Sequence, residues 1–218
     1  MSVWAVLAAA GRGERLGSER PKAFARLGDL PLIAEPLRRL DESDWIDGIV
    51  VAAPPGWEEP CIVLSEELGA GKVSSVVSGG ETRAASVRAA LAEIPEDAAV
   101  IVVHDAARPI LPEEVLARVL APLSEGYEGA VPVLPVADTV KRVRGGDVVE
   151  TLDREELVLS QTPQAFLAAA LRAAADGDGT DCASLVEARG GRIKAVEGDV
   201  RLLKVTSLAD LDLVSSWL

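Results

Sequence analysis

The sequence predicts an α/β fold built around a mostly parallel sheet, on three observations. Short apolar runs alternate with Ala-, Leu-, Glu- and Arg-rich amphipathic stretches over short connections, the pattern of successive βαβ units. The first apolar run breaks into a glycine-rich loop, and open parallel sheets hold their ligands beyond the carboxyl ends of their strands. A chain of 218 residues that is 49% hydrophobic can bury a full core, so one domain over 1–218 is expected.

Taken in order, Val3–Ala8 reads as the first strand, followed by a helix over Pro31–Leu40 and a strand over Gly48–Ala53. A helix near Glu58–Leu68, a strand at Lys72–Val77 and a helix over Thr82–Ala92 continue the alternation. A strand at Ala99–Val103 and a helix over Pro112–Pro122 complete it. Pro31 and Pro112 suit first-turn helical positions, and Asp41 and Gly69 fall where helices should end. The pattern changes between Val131 and Leu159. There, Thr139–Val143 and Asp147–Leu152 flank Arg144-Gly145-Gly146, whose glycine pair favours a tight hairpin turn. A ribbon charged on both faces has little core of its own, so it should lean on another surface, such as a second subunit. Helices over Phe166–Ala175, Cys182–Arg189 and Leu208–Leu218 follow, with a loop at Asp176–Thr180 and a strand at Arg192–Val196.

The net charge of −13 argues against a nucleic-acid or anionic-membrane binder, so any anionic ligand must be held by a local cluster of cations. No run approaches a membrane span or a signal peptide, and a cytoplasmic protein is expected. Cys61 and Cys182 lack the spacing of a disulfide framework or a zinc site.

Four stretches carry chemistry. In the first, Gly11, Gly13 and Gly17 let backbone N–H groups approach an anion, and Arg15 and Lys22 add positive charge. That spacing matches neither the dinucleotide fingerprint nor a Walker A loop. In the second, the apolar run Val100–Val103 delivers His104, Asp105 and Arg108 at a strand end. Asp105 can hold Mg²⁺ against phosphate oxygens, or it can cap the next turn with Arg108 paired to it. His104 reads as a packed, hydrogen-bonding residue rather than a base. In the third, Ser78-Gly79-Gly80-Glu81-Thr82 offers glycines to a flat base and Thr82 as a helix cap; the bland reading is a plain capped helix. In the fourth, Lys204 ends the short apolar run Leu202-Leu203, where a lysine is ordinarily solubilising.

In series, the stretches AAAGRGERLG…PK, SGGETRAASV, HDAARP, VADTVKR, TLDR, SQTPQ, GTDCAS and LLKVT resemble the 2-C-methyl-D-erythritol 4-phosphate cytidylyltransferases of the non-mevalonate isoprenoid pathway, over nearly the whole chain. The resemblance implies a Rossmann-like nucleotidyltransferase fold with a protruding β-arm, here 136–160, through which two subunits form a homodimer. It implies CTP and a sugar-alcohol phosphate as substrates, with Mg²⁺ as cofactor. Arg15, Lys22, Arg154 and Lys204 would act on the developing charge, and Asp105 would bind the metal. Ala9, Ala10, Gly11, Gly13, Gly80, Glu81, Ser86 and Ala106 would bind CTP, largely through backbone atoms. Arg108, Thr139, Arg154, Thr162, Thr180 and Lys204 would bind the sugar phosphate, with Thr139 and Arg154 serving the partner's site.

One departure is Leu202-Leu203-Lys204, where the family usually carries an Asn-Ile-Lys pattern. Two other readings remain. Ribitol 5-phosphate cytidylyltransferases resemble this family but tend to carry valine where Ala107 stands. A non-catalytic nucleotide-binding module would have no need of cations placed for a transition state.

Overall fold

The computed structural model describes residues 2–11, 13, 20–177 and 179–218. Its elements are β1 (Val3–Ala8), β2 (Arg26–Leu27), β3 (Leu30–Pro31), α1 (Ala34–Glu42), β4 (Gly48–Ala53), α2 (Glu58–Glu67), β5 (Val73–Ser78), α3 (Arg83–Leu91), β6 (Val100–Asp105) and α4 (Glu113–Leu120). They continue as β7 (Gly129–Pro135), β8 (Lys141–Arg144), β9 (Asp147–Thr151), β10 (Val158–Ser160), β11 (Gln164–Leu167), α5 (Ala168–Ala174), α6 (Cys182–Glu187), β12 (Ile193–Glu197) and α7 (Leu208–Ser215).

The main sheet runs β10-β7-β11-β6-β1-β4-β5, with β12 also paired to β7. Strands β6, β1, β4 and β5 are mutually parallel, as is the β12–β7 pair. Antiparallel pairing enters through β10 and β11, so the sheet is mixed and mostly parallel.

The central strands are apolar on both faces because helices cover both. Along β1, Ala5 and Leu7 point into one core while Val6 points into the other. The first core is closed by Leu37 and Leu40 of α1, Cys61 and Leu64 of α2, and Val115, Leu116 and Val119 of α4. The second is closed by Val87 and Ala90 of α3, Leu171 of α5, and Leu185 and Val186 of α6.

Four expectations are corrected. Phe166 and Leu167, expected to open the helix over Phe166–Ala175, instead end β11 (Gln164–Leu167), which lies between β6 and β7. Phe166 is fully buried there, against Gly129, where an added Cβ would lie 2.4 Å from the Phe166 ring. Tertiary packing thus outweighs the helical propensity of the alanine-rich run, and the helix begins only at Ala168. Helix α1 likewise begins at Ala34, because Leu30–Pro31 pairs with Arg26–Leu27 in a short hairpin whose Gly28 has φ +61°. Pro112 is the N-cap of α4 rather than its first residue, and Asp41 lies inside α1, where its carboxylate accepts the Lys72 N–H. Gly69, with φ +65°, does follow the end of α2.

Strands β8 and β9 form a separate ribbon, exposed along both strands. Its turn residues Gly145 and Gly146 have φ of +59° and +94°, the left-handed pair that a tight two-residue hairpin turn requires. Among the described residues, no helix is long and apolar enough to cross a membrane.

Candidate active site

The carboxyl ends of β1, β4, β5 and β6 open onto one cavity of about 690 Å³. Parallel register brings them there together: Ala8 of β1 lies beside Ala52 of β4 and Asp105 of β6. The ladder continues past the strand ends, with Ala9 N–H donating to the Ala52 carbonyl at 2.9 Å and Ala106 N–H to the Ala8 carbonyl at 3.0 Å. Small residues crowd this edge for a steric reason. A Cβ on Gly79 would lie 2.2 Å from that of Ala10, and one on Gly80 would lie 2.5 Å from that of Ala85. Ser86 Oγ accepts the Gly80 N–H at 3.1 Å and donates to the Thr82 carbonyl at 2.9 Å, fixing the loop to the start of α3. Thr82 caps that helix by accepting the Ala85 N–H.

Asp105 lies on the cavity floor. It alternates with Val103 and Ile101 onto the face that α3 and α6 cover, which puts it within reach of the first residue of α3. Arg83 Nε donates to Asp105 Oδ1 at 2.9 Å, and Lys204 Nζ donates to Oδ2 at 2.6 Å. Burial alone would raise the carboxyl's pKa, but Arg83 and Lys204 outweigh it and hold the group well below the usual carboxylate range. Burial disfavours the Arg83 charge, and Asp105 together with Cys182 more than restores it. Arg83 Nη1 reaches Cys182 Sγ at 3.3 Å, and its Nη2 has no hydrogen-bond partner among the described residues.

Behind Asp105, Thr162 Oγ1 accepts the Asp105 N–H at 3.1 Å and lies 3.2 Å from His104 Nδ1. His104 Nε2 lies 2.9 Å from the Arg108 carbonyl. A carbonyl can only accept, so Nε2 carries the proton and Nδ1 accepts from the Thr162 hydroxyl. Burial pushes the imidazole pKa down to about 4, against a partial rise from the Arg108 carbonyl, so the ring is neutral at pH 7. His104 is a structural linker, as the sequence suggested.

Of the residues expected to act on CTP, Lys22, Asp105 and Lys204 line this one cavity, with Ala9, Ala10, Gly11, Gly80, Glu81, Ser86 and Ala106. Gly13, with φ +69°, packs against Lys22 instead: an added Cβ would lie 2.5 Å from the Lys22 Cβ. Arg15 and Gly17 lie outside the described residues. Arg108 is not paired with Asp105; burial lowers its pKa, and its Nη1 donates to the Leu202 carbonyl. Leu202 turns its side chain into the core, so that position meets the site through backbone alone. Thr162 is buried behind Asp105. Thr180 is exposed beside the Asp181 cap of α6. Thr139 and Arg154 are on the arm, where Thr139 is exposed and Arg154 donates to the Ala137 carbonyl.

Sequence reasoning missed Arg83 and the turn at Pro54, Pro55 and Trp57, which also line the cavity. Arg83 carries a usable signal: a cation at the first position of a helix opposes the helix dipole, so it calls for an anionic partner.

The residues present fit a hard divalent cation. Each Asp105 oxygen carries one side-chain hydrogen bond and has a further lone pair, and the residue lines the cavity. No group of three His, Cys, Asp or Glu side chains that could cage an ion occurs among the described residues. A lone carboxylate suits Mg²⁺, which keeps waters and takes substrate phosphates as ligands.

A sequence model of the 2-C-methyl-D-erythritol 4-phosphate cytidylyltransferases, IspD, matches residues 3–218. The chain belongs to this family. It is 44% identical over 213 residues to the cytidylyltransferase of that name from Rhodococcus opacus (strain B4), spanning 96% of this chain and 92% of that protein. With the one from Saccharopolyspora erythraea it shares 43% identity over 225 residues, covering 100% of both. The crystal structure of the Thermus thermophilus cytidylyltransferase superposes with a TM-score of 0.78 at 33% identity, covering 100% of this chain and 98% of that one. IspD membership accounts for a mixed sheet with a protruding ribbon.

Proposed function

We propose that this chain transfers the cytidylyl group of CTP to 2-C-methyl-D-erythritol 4-phosphate, giving 4-diphosphocytidyl-2-C-methyl-D-erythritol and pyrophosphate. The observation that carries the reading is Asp105, set between Arg83 and Lys204 on the floor of a cavity that Lys22 also lines, in a chain matched to the family from end to end. An oxygen of the acceptor phosphate attacks the α-phosphorus of CTP, and the bond to the bridging oxygen breaks as pyrophosphate leaves. The nucleophile is already an anion, so the protein's task is positioning and charge stabilisation rather than proton removal.

Lys22 and Lys204 are placed to stabilise charge on the phosphoryl oxygens, with Arg15 assigned to the same task by its motif. The loop at Gly79 and Gly80 and the strand end at Ala9 and Ala10 offer a close backbone wall for the cytosine. Asp105 would hold Mg²⁺, which when bound neutralises triphosphate charge and orients the leaving group. Arg83 keeps the Asp105 carboxylate ionised and aimed. The ribbon within 136–160 is assigned as the dimer arm: Val143 and Val148, paired across β8 and β9, with Val149, and Val158 and Leu159 of β10, are all more than half exposed, apolar surface that a second subunit would cover. Thr139, Arg154 and Thr180, with Arg108, are then assigned to the sugar phosphate, the first two across the interface.

Pyrophosphate release with CTP, Mg²⁺ and each candidate acceptor tests the reading. Methylerythritol phosphate should give the higher kcat/KM; a preference for ribitol 5-phosphate overturns the substrate assignment, and no release with either overturns the enzyme.

A further inference from the structure

Trp57 lines the mouth of the cavity, yet no part of the transfer chemistry calls for an indole. Its placement is tightly determined. Pro54-Pro55-Gly56-Trp57 is a turn closed by the Trp57 N–H on the Pro54 carbonyl at 2.9 Å, with Gly56 at φ +80°. Two prolines fix φ, and glycine alone tolerates the left-handed position without strain, so the turn holds the ring rigidly. The indole meets the Phe24 ring with centroids 4.6 Å apart, tilted by 42°. Aromatic side chains make up only 3% of the chain, so this contact is not a by-product of an aromatic-rich core.

Phe24 is the far end of the single helical turn Lys22–Phe24. That turn is short, held by the Phe24 N–H on the Pro21 carbonyl and the Ala25 N–H on the Lys22 carbonyl. A turn so short has little rigidity of its own, so its position follows what its side chains pack against. Ala23 is buried in the first core and its carbonyl accepts the Ile33 N–H at 2.9 Å, while the Ala25 carbonyl accepts the Leu32 N–H at 2.8 Å; Gly13 packs against the Lys22 Cβ, and Phe24 packs against Trp57.

We infer that Trp57 is a positioning residue for the transfer reaction: through Phe24 it braces the turn that presents Lys22 to the cavity. The inference rests on the assignment of Lys22 proposed above. A cation that acts on a transition state must be placed to within a fraction of an ångström, and the Trp57–Phe24 contact adds a side-chain brace on the cavity side of a turn whose other face is held by Ala23 in the first core.

The test has two arms. In the kinetic arm, Trp57→Ala should lower kcat by about 10- to 100-fold while the CTP dissociation constant changes little, and Trp57→Phe should recover most of the loss. In a Lys22→Ala background, Trp57→Ala should cost nothing further, because the residue acts through that lysine. Weakened CTP binding with unchanged kcat overturns the brace in favour of direct stacking on the base, and additive losses overturn it as well. The second arm needs no activity. Limited trypsin digestion of the folded, nucleotide-free enzyme, mapped by mass spectrometry, should show faster cleavage after Lys22 in Trp57→Ala than in wild type. Equal cleavage overturns the brace. If Lys22→Ala alone leaves turnover intact, the role given to Lys22 fails, and the digestion arm still decides whether Trp57 holds that turn. Thermal unfolding of each variant confirms that the folded enzyme is being compared, and Trp57→Leu replaces Trp57→Ala should the latter not fold.

Discussion

Lys204 Nζ lies 2.6 Å from Asp105 Oδ2, and this ion pair differs in kind from the one Arg83 makes on the other oxygen. The Lys204 side chain is 42% exposed and that of Arg83 only 23%. Solvent screens the lysine, whereas Arg83 is the partner that keeps a buried carboxylate from standing alone. Lys204→Met should therefore change unfolding free energy by no more than about 1 kcal/mol, while Arg83→Met should cost about 3–5 kcal/mol. Turnover should show the lysine's importance, with Lys204→Met lowering kcat by about 10²-fold or more. Urea unfolding beside steady-state kinetics makes the comparison; equal stability losses would mean that both cations hold Asp105 alike.

Folding stability should fall on mild acidification, and His104 supplies the first window. Its pKa is pushed down to about 4 by burial, while the same group in the unfolded chain titrates near ~6.5. Between those values the unfolded chain binds a proton that the folded chain refuses, so stability declines as pH drops. Asp105 supplies a second window further down. Its carboxyl is held low in the folded state, so its contribution is present above the unfolded carboxylate value of ~3.9 and is lost as pH falls below it. Urea unfolding in EDTA at pH 7 and pH 5 isolates the histidine. The loss in wild type should exceed that in His104→Gln by about 2 kcal/mol, and parallel losses would remove His104 from the linkage.

Where one physical rule governed a segment, the sequence could be read closely. Val3–Ala8 and Gly48–Ala53 are apolar runs bounded by breakers and form strands with those limits. Gly145-Gly146 is demanded by turn geometry alone. Gln164–Leu167 could not be read so, because its strand conformation depends on a slot between β6 and β7 and on room at Gly129 for Phe166, both set by distant parts of the chain. The cavity follows the same division. Gly79 and Gly80 in the loop and Ser86 in the first turns of α3 lie within one short stretch and carry their own signal. Arg83 meets Asp105 across 22 residues and Lys204 meets it across 99, separations that no local pattern encodes. Trp57 escaped notice because a tryptophan after a proline pair reads as an ordinary turn until Phe24 is found beside it.

Both thiols should be silent in the native protein. Burial pushes Cys61 up to about 12, and it raises Cys182 as well against the opposing pull of Arg83. Thiolate is the reactive form, so neither side chain offers an appreciable nucleophile at pH 8. Titration with a chromogenic disulfide should show no fast phase without denaturant and two thiols in urea. A native-state burst of one equivalent would place a cysteine in a more open setting than the structure gives it.

The arm assignment predicts complementation between subunits. Arg154 sits beyond β9, and its side chain is about half exposed, with Nη1 on the Ala137 carbonyl and Nε 3.6 Å from Glu155. Both contacts lie within the arm, leaving the guanidinium at a surface that a second subunit can meet. If Arg154 serves the partner's site while Lys22 serves its own, a dimer of one Lys22→Ala and one Arg154→Ala subunit carries one site with both defects and one with neither. Each homodimer should be nearly inactive, and random reassortment of the two should yield about half its protein as heterodimer with one intact site in two. The mixture should therefore recover about a quarter of wild-type turnover. Heterodimer formation, followed by native mass spectrometry, without any recovery would return Arg154 to its own subunit's site.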